Sequence, residues 1–363
     1  MSLWSQEYLR HGHPLGSRGA GAGRLQTALC CPDKFRGSLT AAEAATAIGA
    51  GLRDAGFEDV IELPLADGGE GTLAALVSAR RGEFHQAVVT GPDGQLVDAS
   101  WGMLPDGTAV IELAEASGLA LVSGRNDPLT ATTKGTGELI LAAAEAGASN
   151  IILGLGGSAT VDGGRGIIDA LGGVLPVPVV VACDVDTLFE DAARVFGPQK
   201  GADPADVGEL SRRLERLALD YAGSTGVDVR SLRGSGAAGG TGGGLAAIGA
   251  TLRRGFDVVA EATGFSDALA RCTFVVTGEG RLDRTSLAGK VTGEVVAAAK
   301  VHSLLVGLVV GDADEGAIDA LWDSPPVVRL VSLAGSREGA IARASELARV
   351  GGREIGAFLR APT

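Results

Sequence analysis

Aromatic side chains are scarce in this 363-residue chain, with Phe, Trp and Tyr making up 4%. Its cores must therefore be built from Ala, Val, Leu and Ile, and little remains with which to stack single-stranded nucleic acid. Bases are also short, 31 Lys and Arg against 44 Asp and Glu, for a formal net charge of −13. That balance lacks the basic face of a nucleic-acid binder. An anionic ligand would need a local cluster of bases and backbone N–H groups. No uninterrupted apolar run reaches the roughly 18 residues of a membrane span, so no membrane partner is expected. The only cysteines are Cys30, Cys31, Cys183 and Cys272. They show neither metal-ligand spacing nor a dense disulfide framework, and read as reduced thiols of a cytoplasmic protein. Proline is sparse, at 13 residues, and without a Gly-X-Y period collagen is excluded.

Glycine, by contrast, is abundant: 57 residues, more than twice the usual share of about 7%. Disorder does not explain it, because 45% of the chain is hydrophobic and such a chain collapses. The surplus belongs in loops between ordinary core segments. The length suggests about two domains. Residues 1–26 carry no hydrophobic region, are not a secretory signal, and read as a disordered extension or expression remnant.

From Leu25 onward, strand, glycine loop and helix alternate. Strands are expected at 25–31, 60–65, 84–90, 109–113, 150–155, 178–183, 274–277, 304–310 and 327–331. Helices are expected at 39–52, with Ser38 or Thr40 as cap, and at 72–79, 135–146, from about 165, 209–221 and 338–359. This is the pattern of an α/β protein with a largely parallel sheet. The stretch Gly234 to Gly244 reads either as flexible linker or as a glycine turn opening a helix.

Acids and glycines recur where strands end, and open parallel sheets bind ligands there. Five such places stand out: Asp33-Lys34, Asp67 to Gly71, Gly156 to Thr160, Asp184 to Asp186, and Gly278 to Asp283. Gly154, Gly156 and Ala159 fit a dinucleotide-binding turn, which leaves a nucleotide-linked dehydrogenase as the alternative reading, but the acid closing the next strand, Asp184, comes too late. A Walker A loop is absent, since Gly289-Lys290 lacks the upstream glycine and Val291 stands where Ser or Thr is needed.

The segments C-P-D-K-F-R-G-S-L-T, P-L-A-D-G-G-E-G-T, T-T-K-G-T-G-E-L-I, G-L-G-G-S-A-T-V-D-G-G, V-F-G-P-Q-K-G-A and T-G-E-G-R-L-D resemble the bacterial glycerate 2-kinase family, in the family's order. The resemblance implies ATP-dependent, Mg²⁺-assisted phosphorylation of D-glycerate at the 2-hydroxyl, with 3-phosphoglycerate as the alternative product. It implies two α/β domains with the active site in the cleft between them. A Rossmann-like parallel-sheet domain over 27–132 plus 300–363 would carry a second domain, 133–299, as an insertion. A homodimer is compatible with it. The sequence departs from the family after Gly173, where a stretch is missing, and at Asp186-Thr187-Leu188, where Asn-Pro-Leu is usual.

Phosphoryl transfer needs cations on the phosphates, a metal bridge and an acceptor hydroxyl held in line. On that basis Lys34, Lys200 and Lys290 are expected at phosphate or carboxylate groups, and Arg281 at the glycerate carboxylate, unless it pairs with Asp283. Asp67 and Asp184 are the expected Mg²⁺ ligands. Glu70 and Asp162 compete to orient the 2-hydroxyl or take its proton, and with Asp67 and Lys200 they make up the expected catalytic set. Gly156, Gly157, Ser158 and Thr160 would cradle phosphate, as Ser38 would in the first domain. Asp33, Gly68, Gly69, Glu279 and Asp283 complete the expected binding set.

Overall fold

The computed structural model describes residues 27–321 and 324–360; the extension expected over residues 1–26 lies outside them. The described chain divides into two compact units. One takes in 27–64, Ser266–Ala288 and 292–360, and the other Leu65–Phe265 with Gly289–Val291.

The first unit opens with β1 (Thr27–Cys30), α1 (Ala41–Asp54) and β2 (Asp59–Glu62). Thr40 caps α1: its hydroxyl accepts the Glu43 amide, and the Glu43 carboxylate accepts the Thr40 amide. Two otherwise orphaned donors are thereby satisfied. The chain continues into the second unit with α2 (Thr72–Arg80), β3 (Glu83–Thr90), β4 (Leu96–Met103), β5 (Thr108–Glu112), α3 (Lys134–Glu145) and β6 (Asn150–Gly154). There follow α4 (Arg165–Leu171), β7 (Val179–Ala182), α5 (Pro204–Thr225), α6 (Ala237–Ala247), β8 (Thr251–Arg253) and α7 (Gly255–Thr263). The remainder contains β9 (Phe274–Thr277), β10 (Arg281–Leu282), α8 (Val291–Val301), β11 (Leu305–Val310), β12 (Asp312–Ala313), β13 (Val327–Arg329) and α9 (Ala344–Leu359). Shorter helical turns join these elements.

In the first unit five strands lie in the order β13–β11–β9–β1–β2, every pairing parallel. β2 is on one side of β1 and β9 on the other, so the order reverses beside β1. Such a reversal leaves a crevice outside the carboxyl ends of the strands. In the second unit the order is β3–β4–β5–β6–β7–β8. It is antiparallel from β3 to β5 and parallel from β5 to β8. Leu139 and Ile140 of α3 and Ile167 of α4 pack with Ile111, Ile151, Leu153 and Val181 of the strands in one apolar core.

Strand pairing moves the expected domain boundaries. The segment 83–112 hydrogen-bonds through β5 to β6, so it belongs to the second unit, not to a domain ending at 132. Strand β9 lies between β1 and β11, so it belongs to the first unit, not to an insertion ending at 299. Helix α5 is longer than 209–221 because Asp203 and Asp206 form a capping box and Pro204 takes the first helical position. The closing helical stretch breaks at Arg343 into Arg337–Ala342 and α9. The tract Gly234 to Gly244 is not linker: it opens α6 and most of it is buried.

Candidate active site

At the carboxyl ends of β6 and β7 a cavity of about 410 Å³ is lined by Asp67, Gly68, Gly69, Gly156, Gly157 and Ser158, with Asp184 and Lys200. These are eight of the residues singled out in the sequence, all in the second unit. Their loops approach closely. A Cβ on Gly156 would lie 2.7 Å from Gly69 Cα and 2.8 Å from the Glu70 nitrogen, so only glycine lets the two loops meet here.

Lys200 ends the short turn Pro198–Lys200 and is 3% exposed. Its Nζ donates to Ser158 Oγ at 2.6 Å and to the Thr160 carbonyl at 2.7 Å, and lies 5.9 Å from the centre of the Phe196 ring. The Asn126 side-chain amide donates to the carbonyls of Ala159 and Lys200, both at 2.8 Å, and so ties the lysine backbone to the Ser158 loop. Burial pulls the Lys200 ammonium down to about 7, against the opposing influence of the Asp162 charge.

Asp67 Oδ1 accepts the Gly69 amide at 3.1 Å, and Asp184 Oδ1 accepts the Gly255 amide at 3.0 Å. Desolvation of the Asp184 carboxyl, and then the neighbouring Asp67 charge, push it up to about 7. Two carboxylates that repel each other beside an open cavity suit a divalent cation, which removes the repulsion. No group of three or more acidic, histidine or cysteine ligands exists among the described residues. The pair matches the needs of Mg²⁺, which takes one or two carboxylates and completes its shell with phosphate oxygens and water.

Asp162 has other surroundings from those expected of a proton acceptor. It does not line the cavity. One carboxylate oxygen accepts the Thr133 amide, the Thr133 hydroxyl and the Gly166 amide, and the other accepts the Gly164 amide. Burial raises its pKa, and the hydrogen bonds act in the opposite sense. Its role here is to join the end of the Gly156 to Gly164 loop to the start of α3. Glu70 is exposed, one residue past Gly69, and is also outside the cavity lining. Thr160 contributes its carbonyl to Lys200 and is otherwise buried behind the loop. Lys290 is half-buried just ahead of α8 and does not line this cavity.

The other expected residues belong to the first unit and gather at the reversal beside β1. The Asp33 amide donates to the Gly278 carbonyl at 2.8 Å, joining the loops that follow β1 and β9. Lys34 follows in the same loop, its amide held by Asp33 Oδ1 at 2.7 Å, and Ser38 Oγ donates to the Phe35 carbonyl. Glu279 accepts from Ser286 Oγ at 2.9 Å. Arg281 pairs with Asp314 at 2.8 Å, not with Asp283. Asp283 instead caps the turn Arg284–Leu287, accepting the Thr285 and Ser286 amides.

Sequence reading missed Asn126, Phe196 and Glu112. Glu112 is 5% exposed at the carboxyl end of β5 and accepts the Leu73 amide of α2 at 2.7 Å. An acid closing an apolar strand was a legible signal for Glu112. Asn126 lies in a loop with no such signal.

A parallel-sheet α/β protein whose carboxyl-end loops collect a buried lysine, paired acids and bare glycine backbone has the parts of a phosphoryl-transfer enzyme. The chain matches the glycerate kinase family over residues 28–176 and 174–360. It is 42% identical over 337 residues to the Escherichia coli K12 protein named glycerate 2-kinase, covering 80% of this chain and 88% of that one. It is 40% identical over 343 residues to the Bacillus subtilis glycerate kinase, covering 82% and 90%. A crystal structure of a Salmonella typhimurium LT2 protein designated glycerate kinase 2 aligns with a TM-score of 0.82 at 37% identity, covering 93% of this chain and 99% of that one. The chain belongs to the glycerate kinase family, and it is an enzyme of the kinase class. No helix among the described residues is long and apolar enough to cross a membrane.

Proposed function

We propose that this enzyme transfers the γ-phosphoryl group of ATP to the 2-hydroxyl of D-glycerate in the cytoplasm, giving 2-phosphoglycerate and ADP. The observation that carries the reading is the cavity in which Lys200, Ser158 and the Gly156-Gly157 backbone share one wall set with Asp67 and Asp184. An acidic protein must gather hydrogen-bond donors locally to hold anions, and the Ser158 hydroxyl with the glycine amides would supply them.

Asp67 and Asp184 would hold Mg²⁺, which would offset the negative charge of the phosphates during transfer. Gly156, Gly157 and Ser158 orient phosphate oxygens through N–H and hydroxyl donors. Gly68 and Gly69 keep the Asp67 loop close enough to present its carboxylate. In the first unit, Lys34, Ser38 and Arg281, with Asp33, Glu279 and Asp283 shaping their loops, are assigned to the anionic and polar groups of the ligands. Arg281 can exchange its exposed pairing with Asp314 for a substrate carboxylate, because exposed ion pairs are worth little, at most about 1 kcal/mol.

Phosphorus NMR of the product of ATP, Mg²⁺ and D-glycerate tests the reading. A resonance of 2-phosphoglycerate is expected. A 3-phosphoglycerate resonance would move the acceptor to the other hydroxyl, and the absence of glycerate-dependent ADP would remove the function.

A further inference from the structure

We infer that Lys200 is the group that takes the proton from the acceptor hydroxyl, acting as an uncharged amine rather than as a fixed cation. The inference rests on the proposed phosphorylation and deepens it. A neutral amine has two N–H donors and one lone pair. Lys200 Nζ has two hydrogen-bond acceptors, Ser158 Oγ at 2.6 Å and the Thr160 carbonyl at 2.7 Å. Those two acceptors use both donors and leave the lone pair for the cavity that Lys200 lines.

Elimination among the neighbours leads to the same group. Asp67 and Asp184 would be taken up by Mg²⁺ in the proposed reaction. Asp162, behind the Thr160 loop, spends its oxygens on four donors. Arg125 is directed at the Gly201 carbonyl. A lysine kept near 7 by burial is neutral often enough to accept a proton at ordinary pH.

In the step, the O–H bond of glycerate breaks and an N–H bond forms on Lys200. The hydroxyl oxygen bonds to the γ-phosphorus as the bond from that phosphorus to the ADP oxygen breaks, and ADP leaves with the electron pair. Lys200 is then an ammonium whose third N–H faces the transferred phosphoryl group. It releases the proton to solvent after the product leaves.

A fixed cation and a neutral base predict opposite effects of pH and of arginine, which keeps the charge but cannot accept a proton. Wild-type turnover of D-glycerate under saturating Mg²⁺ comes first; its absence overturns the proposed function itself. With wild-type turnover present, kcat is expected to rise as pH passes upward through about 7. Lys200→Arg and Lys200→Ala are both expected to lose about 10²–10⁴-fold in kcat with little change in KM. Small primary amines in solution are expected to restore Lys200→Ala, with a rate that follows the neutral-amine fraction. That rescue also shows that the variant is folded. Retention of kcat within about tenfold by Lys200→Arg, a wild-type kcat that falls through pH 7, or failure of amines to rescue a Lys200→Ala that melts cooperatively would each overturn the assignment.

Discussion

Thr133 gives both its amide and its hydroxyl to one oxygen of Asp162, each at 2.8 Å. The same carboxylate also receives the Gly164 and Gly166 amides. An acid at the end of a glycine loop thus secures that loop to a helix start. Asp162→Ala is expected to cost about 2–3 kcal/mol, the scale of hydrogen bonds to a charged group, because backbone donors lose their acceptor. Urea denaturation checks this, and the remaining folded fraction should keep a substantial share of the turnover. Full stability with abolished turnover would return Asp162 to the chemistry.

Asp67→Asn should do the reverse. Asparagine Oδ1 can still accept the Gly69 amide, as Asp67 Oδ1 does at 3.1 Å, so the loop should hold and the melting temperature should change little. Removing the charge should abolish turnover and the thermal shift produced by Mg²⁺. Differential scanning fluorimetry with and without Mg²⁺, beside an ADP-release assay, measures both.

Asp184 supplies a pH prediction for the metal-free protein. Its carboxyl is raised to about 7 in the fold from the ordinary value of 3.8, first by desolvation and then by Asp67. Between those values the unfolded chain has lost the proton and the folded one keeps it. Ionising Asp184 therefore works against the fold as pH rises, with the full effect above about 7. Asp184→Asn should melt at a higher temperature than wild type at pH 8, and the difference should vanish below about pH 4. Melting curves in EDTA decide it; a difference constant with pH would contradict the raised carboxyl.

Gly239 has φ +70°, and a Cβ there would run into the Thr160 carbonyl, the acceptor of Lys200. Gly239→Ala is expected to cost about 2–5 kcal/mol, combining about 1–2 for left-handed backbone with about 1–3 for overpacking. It should also lower turnover by displacing Lys200. Ala238, beside it on the cavity wall, is already left-handed at φ 52°. Ala238→Gly should leave stability unchanged or slightly higher. Chemical denaturation of the two variants separates clash from strain.

Much of this protein was legible without coordinates. Alternation of apolar strands with helical segments gave the α/β class, because period-2 and 3.6-residue patterns act locally. Strand Phe274–Thr277 stands where the apolar run put it, and the cap at Thr40 follows from its three-residue spacing to Glu43. Of the five strand-end places, three meet at one cavity through Asp67, Gly156, Ser158 and Asp184, and Lys200 reaches it from the turn Pro198–Lys200. What the sequence could not decide depends on partners distant in the chain. Asp162 and Lys200 read alike as polar residues in glycine loops, yet Asp162 meets four donors and Lys200 loses its water. Hydrogen-bond saturation and desolvation come from packing, so the sequence by itself determined the elements and the residue types at their ends. Only the tertiary structure decided which of those residues binds the fold together and which is left facing a cavity. The same holds for the boundaries at 132 and 299, moved by the pairings of β5 with β6 and of β9 with β1. Parallel pairing joins strands far apart in sequence, and no local pattern records the partner.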